Sequence, residues 1–189
     1  PLATKEITLP EYAEHEVGMI PQLAARFEAA AQLPGAEYLA KLRYLILPIR
    51  EADAVPQPLR CQTLLELPRA AFGTVEPDTM RRLAALEGSD FAGVVANNLA
   101  QFGYASPLPV FGGLGLNVTN PMSAAEYVCL GARGLLVQPE TALTAMRAVA
   151  PRQKDGTPVP TAALCYGHLP LMLTRACPLR NVRTSCAGC

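Results

Sequence analysis

Short apolar runs alternate with segments of helical periodicity along most of the chain. Most of these runs are continuously apolar, which is typical of strands buried on both faces of a parallel sheet. The pattern predicts six strands: RYLILPI (Arg43 to Ile49), RCQTLLELP (Arg60 to Pro68), FAGVVANN (Phe91 to Asn98), VFGGLGLN (Val110 to Asn117), GLLVQP (Gly134 to Pro139) and AALCYG (Ala162 to Gly167).

Segments of helix length separate several of these runs. Three of them, EPDTMRRLAALEG, NPMSAAEYVCLGA and PETALTAMRAVAP, open with helix-start signals at Pro77-Asp78-Thr79, Asn120-Pro121 and Pro139-Glu140-Thr141. A further helix is predicted over Pro21 to Leu33, where apolar residues recur at helical spacing before Pro34-Gly35.

Repeated strand and helix units with short connections predict an α/β domain with a parallel sheet. A closed eightfold barrel takes roughly 250 residues, so 189 residues favour an incomplete TIM-type (βα) barrel, with a smaller open sheet as the alternative. We expect residues 1–36 to be a connecting or capping segment and residues 37–189 to be the partial barrel domain.

A barrel of this class places its chemistry at the carboxyl ends of the strands. Polar residues follow the predicted strands there, so Asn117 and Asn120 are candidate substrate-binding residues. Asn120 has a second interpretation as a helix cap, and Glu140 has one as a first-turn acid favoured by the helix dipole. The other strand-end positions are Asn97, Asn98, Gln138 and the segment 168–189.

Charge is balanced, with 16 Lys and Arg against 16 Asp and Glu, so any contact with RNA must use a local patch. Such a patch of arginines lies near the carboxyl terminus and suits phosphate or an anionic substrate: Arg175, Arg180 and Arg183. The sequence has no apolar run of membrane-spanning length and no signal peptide, which predicts a cytoplasmic protein without membrane contact. The start at Pro1 and the end on a candidate ligand suggest a fragment of a longer parent.

Three cysteines close the chain at the spacing Cys177-x8-Cys186-x2-Cys189. A close pair with one more distant cysteine suits an iron–sulfur cluster, and it equally suits zinc, for which His168 is a further ligand. A third interpretation is that these are unliganded thiols. Cys61, Cys129 and Cys165 lie in apolar contexts that predict burial in the core, although Cys165 ends its predicted strand and could face the site.

The segment CYGHLPLMLTRACPLRN followed by CAGC resembles the peptidase U32 family, also called collagenase-like proteases. The upstream sequences LGLNVTN and LGARGLLVQPETAL also resemble that family, and together the similar region covers about residues 110 to 189. The region is similar to the C-terminal half of longer members, which implies an N-terminal U32 module in the parent chain.

The resemblance implies that Cys177, Cys186 and Cys189 are three of four cysteine ligands to a 4Fe–4S cluster, with the fourth expected further on. It also implies one of two activities, because members are described either as peptidases or as enzymes that hydroxylate an RNA base or a quinone precursor. Under it, His168 and Arg175 are expected to be substrate-binding neighbours of the cluster.

The sequence therefore leaves three hypotheses. The first is an iron–sulfur-dependent enzyme that hydroxylates RNA or a related substrate. The second is a peptidase, in which His168 would activate Cys177, although no recognised serine-hydrolase or zinc-protease motif occurs. The third is a non-catalytic module in which a bound metal ties down the end of the barrel.

Overall fold

A parallel sheet forms the centre of the molecule in a computed structural model that describes residues 21–104 and 106–169. Seven strands lie side by side in their order along the chain, and every neighbouring pair is parallel. They are β1 (Leu23–Arg26), β2 (Leu42–Pro48), β3 (Thr63–Glu66), β4 (Gly93–Ala96), β5 (Val110–Gly112), β6 (Ala132–Val137) and β7 (Thr161–Ala163).

Short helices connect the strands. The α-helices are α1 (Ala36–Leu39), α2 (Gln57–Arg60), α3 (Val75–Ala84), α4 (Pro121–Cys129) and α5 (Leu143–Ala148). Single 3-10 turns or short 3-10 helices cover Ala30–Gln32, Ile49–Ala54, Leu99–Gly103 and Leu114–Leu116. Parallel pairing requires such crossovers, because each strand must return to the same edge of the sheet before the next begins.

The predicted α/β class is confirmed, since the sheet curls into a half-barrel with helices between its strands. The outer face carries a core in which Leu47 and Leu65 of neighbouring strands, both fully buried, belong to one cluster with Leu83 of α3. A second cluster joins Val137 of β6 to Ala124 of α4. These two clusters fix the helices to the convex side and leave the opposite face of the sheet concave.

Two sequence predictions are wrong at the level of secondary structure. The helix predicted over Pro21 to Leu33 is absent, because Leu23–Arg26 pairs with β2 as a strand. The last predicted helix begins later than expected, at Leu143, and Pro139 and Glu140 form a turn before it. The proposed boundary between residues 36 and 37 stays a prediction; β1 lies before it and pairs with β2, which lies after it.

None of the helices in the described part of the chain has both the length and the apolar character needed to cross a membrane.

Candidate functional site

Three polar side chains project from the concave face near the carboxyl ends of the strands. Arg26 ends β1, Glu66 ends β3, and Asn97 directly follows β4. We call these three residues the polar layer. Leu65 of β3 and Val94 of β4 belong to the outer core, and β1 is held by its pairing with β2. The layer therefore sits at strand ends rather than on long loops.

Strand register shows why these residues share one layer. Arg26 is level with Ile46 of β2, whereas Glu66 is level with Pro48, two residues closer to the carboxyl edge. Asn97 lies two residues beyond Val95, the partner of Glu66. Each step of two residues keeps the side chain on the same face. From β1 to β4, the residues of the polar layer therefore lie progressively nearer the carboxyl edge, as expected where strands are tilted relative to a barrel axis.

An ion pair joins the first two members of the layer. Nε of Arg26 donates to Oε2 of Glu66 at 2.7 Å, and Nη1 donates to Oε1 of Glu28 at 2.5 Å. The Glu66 side chain is only 18% exposed, against 46% for Arg26. Arg26 thus presents one part of its guanidinium to solvent while the other part is fixed.

The charges in this cluster shift two pKa values. Burial lowers the pKa of the Arg26 guanidinium, but hydrogen bonds to and charges on Glu28 and Glu66 outweigh it, so the pKa is raised. The hydrogen bond from Arg26 is the main reason that the pKa of Glu28 is lowered. Both groups therefore stay charged over the whole neutral range.

Asn97 is the buried member of the layer, with 2% of its surface exposed. Its Nδ2 donates to Oε1 of Glu66 at 3.2 Å and to the carbonyl oxygen of Leu67 at 3.0 Å. Its Oδ1 accepts from the backbone N–H of Gly115 at 3.3 Å. One amide therefore links the ends of β3 and β4 to the segment after β5, and it holds the second oxygen of the Glu66 carboxylate.

Gln101 supports Asn97 from behind and is equally buried, at 1% exposure. Its Oε1 accepts from the backbone N–H of Asn97 at 2.6 Å, and its Nε2 donates to the carbonyl oxygen of Pro68 at 2.7 Å. Asn98 starts the 3-10 helix that carries Gln101, because its Oδ1 accepts from the Gln101 backbone N–H. Of the two strand-end asparagines, Asn97 therefore belongs to the polar layer, and Asn98 caps the 3-10 helix.

Glycines make room for Asn97. A Cβ on Gly113 would lie 2.4 Å from Oδ1 of Asn97, and one on Gly115 would lie 2.0 Å from its carbonyl oxygen. Only a residue without a side chain fits at this approach. The FGGLG sequence after β5 is thus explained by packing against the polar layer.

Aromatic side chains lie below the polar layer on the same face. The rings of Tyr44 on β2 and Phe111 on β5 meet edge to face, with centroids 5.7 Å apart. A flat sheet would separate these strands by about 14 Å, so curling helps the two rings to meet. Phe111 also lies over Gly93 and Gly134, where an added Cβ would approach its ring to 2.8 and 2.7 Å. The concave face is therefore polar at its carboxyl edge and apolar beneath.

Asn117 and Asn120, the predicted substrate-binding residues, both lie after β5 and are exposed. Each also has a local backbone role. Asn117 has φ 52° and ψ 49°, a left-handed conformation that asparagine tolerates, and it ends a 3-10 turn. Asn120 caps α4, because its Oδ1 accepts from the backbone N–H of Ser123 at 2.9 Å. Their proposed contact with substrate stays a prediction.

The segment after β6 carries two buried oxygen atoms that have no hydrogen-bond partner within the described ranges, Oε1 of Gln138 and Oγ1 of Thr141. Glu140 lies between them in an exposed turn, and not in the first turn of α5 as the helix-start interpretation required. This part of the carboxyl edge thus has free hydrogen-bonding capacity.

The cysteine segment begins beyond β7. His168 is exposed, five residues after the strand ends. Cys177, Cys186, Cys189 and Arg175 lie outside the described residues, as do Arg180 and Arg183. Within residues 21–104 and 106–169, no group of three or more His, Cys, Asp and Glu side chains could hold a metal ion.

The prediction that the other cysteines are buried is wrong. Cys61, Cys129 and Cys165 are all exposed free thiols. Each lies outside a strand, next to a strand end, where the apolar composition of the neighbouring run does not enforce burial.

Sequence reasoning missed Arg26, Glu66 and Gln101. A signal existed for Glu66, since it is a lone carboxylate inside the apolar run TLLELP. Arg26 was hidden by the incorrect helix. No local pattern links it to a carboxylate 40 residues away.

No protein-family model matches the sequence, and no curated protein matches it. A similar solved structure is that of the U32 peptidase Mk0906, with a TM-score of 0.47 and 12% sequence identity. The alignment covers 76% of this chain and 73% of that chain. The comparison concerns the fold alone.

Proposed function

We propose that this chain is the C-terminal half-barrel of a U32-like, cytoplasmic enzyme that carries a 4Fe–4S cluster and hydroxylates RNA or a related substrate. Cys177, Cys186 and Cys189 supply cluster ligands. The polar layer and the segments after β5 and β7 bind the substrate. An N-terminal U32 module of the same parent completes the enzyme.

The observation that carries the proposal is that β7 ends at the same edge of the sheet as the polar layer. All seven strands are parallel, so Arg26, Glu66 and Asn97 lie at the edge where β7 ends. His168 follows β7 by five residues, and the cysteines come later in the sequence. Barrels of this class carry their active sites at that edge.

The donor set supports iron–sulfur chemistry. Thiolates are the usual ligands of such clusters, and a Cys-x-x-Cys pair with a more distant cysteine is a common arrangement. When bound, the cluster would supply one-electron redox chemistry. Zinc remains the competing metal for the same thiolates, so the metal has to be identified by analysis.

The chain's own residues would hold the substrate. Glu66 is fixed from two sides, by Arg26 on one oxygen and Asn97 on the other, so its remaining acceptor positions have a defined direction. Asn117, Asn120, His168 and Arg175 are the proposed further contacts. Arg175, with Arg180 and Arg183, would pair with RNA phosphates.

The test is anaerobic purification of the parent protein, with iron, acid-labile sulfide and zinc measured against protein. We expect about four irons per protein with matching sulfide, and both should be lost in Cys177→Ala. RNA treated with the parent protein should contain a hydroxylated base, and RNA treated with the variant should not. A matched RNA-binding test compares Arg175→Ala with the parent protein over a range of salt concentrations, because loss of a phosphate contact weakens the salt dependence.

Other results would overturn the proposal. Stoichiometric zinc without sulfide would exclude the cluster. Cleavage of a denatured protein by metal-free protein, lost in Cys177→Ala, would favour a peptidase. Unfolding on metal removal, with no change in RNA, would favour a structural metal.

A further inference from the structure

Arg26 has hydrogen-bond donors to spare. Its Nε donates to Glu66 and its Nη1 donates to Glu28. Its Nη2, which lies on the same side of the guanidinium as Nε, makes no hydrogen bond with the described residues. A guanidinium has five N–H groups, so both N–H groups of Nη2 are available. The Arg26 side chain is 46% exposed, and a ligand can therefore reach them.

Glu66 has spare acceptor positions beside those donors. Its Oε2 accepts one hydrogen bond from Arg26, and its Oε1 accepts one from Nδ2 of Asn97. An ionised carboxylate has about four acceptor positions, so about one remains on each oxygen. The two existing hydrogen bonds hold the carboxylate in one orientation, and its side chain is still 18% exposed.

The available groups lie side by side in the order donor, acceptor, acceptor. Oε2 of Glu66 is bonded to Nε, which shares the guanidinium carbon with Nη2. Oε1 lies beyond Oε2, on the side of Asn97. A ligand edge with the order acceptor, donor, donor therefore complements Nη2, Oε2 and Oε1.

Guanine is the RNA base whose Watson–Crick edge has that order, since its O6 accepts while its N1–H and its N2 amino group donate. Uracil matches at the first two positions, but its O2 would face Oε1 of Glu66, one acceptor against another. Cytosine presents the opposite order at all three positions. Adenine presents an amino donor where the donor Nη2 requires an acceptor.

The charge around the site disfavours ionic ligands. The ion pairs at this edge join two arginines to three glutamates, which leaves a net negative charge: Arg26, Arg50, Glu28, Glu51 and Glu66. That charge would repel a free phosphate or carboxylate. An arginine side chain also presents paired N–H donors, but its positive charge would lie against Arg26. A neutral base edge avoids both penalties.

The concave face next to Glu66 is apolar and closed. Leu64, two residues earlier on β3, is 4% exposed, and Val95, level with Glu66 on β4, is 6% exposed. A base therefore approaches the carboxylate from the carboxyl edge of the sheet, with its polar edge leading.

We propose that Arg26 and Glu66 bind the Watson–Crick edge of a guanine base, and that Asn97 is the residue that positions the carboxylate. This inference rests on the proposed function, because it takes the polar layer as a part of the site that binds RNA. It concerns the base that is recognised and not the atom that is hydroxylated.

The first test compares two nucleotides that differ by one group. IMP has the same phosphate, O6 and N1–H as GMP but lacks the N2 amino group. In equilibrium dialysis with the parent protein, GMP should bind at least about tenfold more tightly than IMP, because IMP leaves Oε1 of Glu66 without its donor. UMP, CMP and AMP should also bind at least about tenfold more weakly than GMP.

Variants assign the preference to this site. Glu66→Gln replaces one acceptor by an amide donor, so the preference for GMP over IMP should fall to within about twofold. Arg26→Ala should weaken both nucleotides, since both carry O6. Arg50→Ala is the matched control, because its ion pair with Glu28 is long and exposed, and it should keep the full preference. Thermal unfolding checks that each variant folds.

A second comparison identifies the source of the base. It uses single-stranded RNA of one length with guanine or inosine at a single position. Tighter binding of the guanine RNA supports the inference with RNA as the ligand. A preference seen with GMP alone would support the guanine site but assign it to a free nucleotide, and it would contradict RNA as the substrate.

The outcomes separate this inference from the proposed function. Equal binding of the guanine and inosine forms, or a preference that Glu66→Gln leaves unchanged, would overturn the inference. The function would still stand if the cluster and the hydroxylated base are found. Absence of both, with the guanine preference intact, would overturn the function and leave the guanine site.

Discussion

Arg26 and Glu66 lie on strands that are not neighbours, yet Nε of Arg26 is 2.7 Å from Oε2 of Glu66. The pair crosses β2 on the concave face, above Ile46. It ties the edge strand β1 to the interior of the sheet and fixes a carboxylate at the carboxyl edge. One contact thus serves both the stability of the half-barrel and the geometry of its candidate site.

Replacement of Glu66 by Gln should destabilise the chain by about 1 to 2 kcal/mol. The variant keeps the shape of the side chain but loses the negative charge of the carboxylate that accepts hydrogen bonds from Arg26 and Asn97. The loss is costly because the side chain is partly buried. The measurement is the free energy of unfolding from urea titration. Arg50→Ala is the control, because its ion pair with Glu28 is long, at 3.7 Å, and exposed. A control change larger than the Glu66→Gln change would contradict the assignment.

Asn97→Ala should cost about 2 to 4 kcal/mol, because it leaves the carbonyl of Leu67 and the N–H of Gly115 without the buried partner they have now. The neighbouring variant Asn98→Ala removes only the cap of a 3-10 helix and should cost about 1 kcal/mol. Thermal and urea unfolding of the two variants should rank them in this order. Equal losses would mean that Asn97 has no special structural role.

Gly115→Ala should destabilise the fold by more than about 2 kcal/mol, since its Cβ would meet the Asn97 carbonyl oxygen at 2.0 Å. That clash is with backbone, so a side-chain rotation cannot relieve it. Gly103→Ala is the matched control, because a Cβ there meets nothing within 4 Å, and its effect should stay within about 1 kcal/mol. Comparable melting temperatures for the two variants would refute the close approach.

Acid should weaken the chain partly through Glu28. Because Arg26 lowers the pKa of folded Glu28 from its ordinary 4.5, this carboxylate stabilises the fold above that pH. The contribution is lost as the pH falls through the lowered value. Stability measured from about pH 7 to pH 3 should therefore fall more steeply below 4.5 in the natural chain than in Glu28→Gln. Parallel pH profiles would show that the pair contributes nothing.

Each of the six predicted strands overlaps a strand of the structure, because continuous apolar runs favour strands in a parallel sheet. β1 was missed for a physical reason. Its sequence, LAAR, contains good helix formers and no β-branched residue, so local preference favours a helix. Pairing with β2 overrides that preference, and this pairing is a contact between segments that no local pattern records.

The candidate site could be predicted only in part from the sequence. Strand ends carry their polar residues in the sequence, so the carboxyl edge and Asn97 could be anticipated. The partnership of Arg26 with Glu66 could not, because it depends on the register of three strands.

By itself, the sequence determined the α/β class, the order of alternating strands and helices, and the concentration of thiols near the carboxyl terminus. These follow from hydrophobic periodicity and residue type, which act over a few neighbouring residues. Only the tertiary structure decided which polar side chains meet at the carboxyl edge, and which carboxylate pairs with Arg26. Both depend on parallel pairing and on the slant of a curled sheet, and these arise when distant segments pack together.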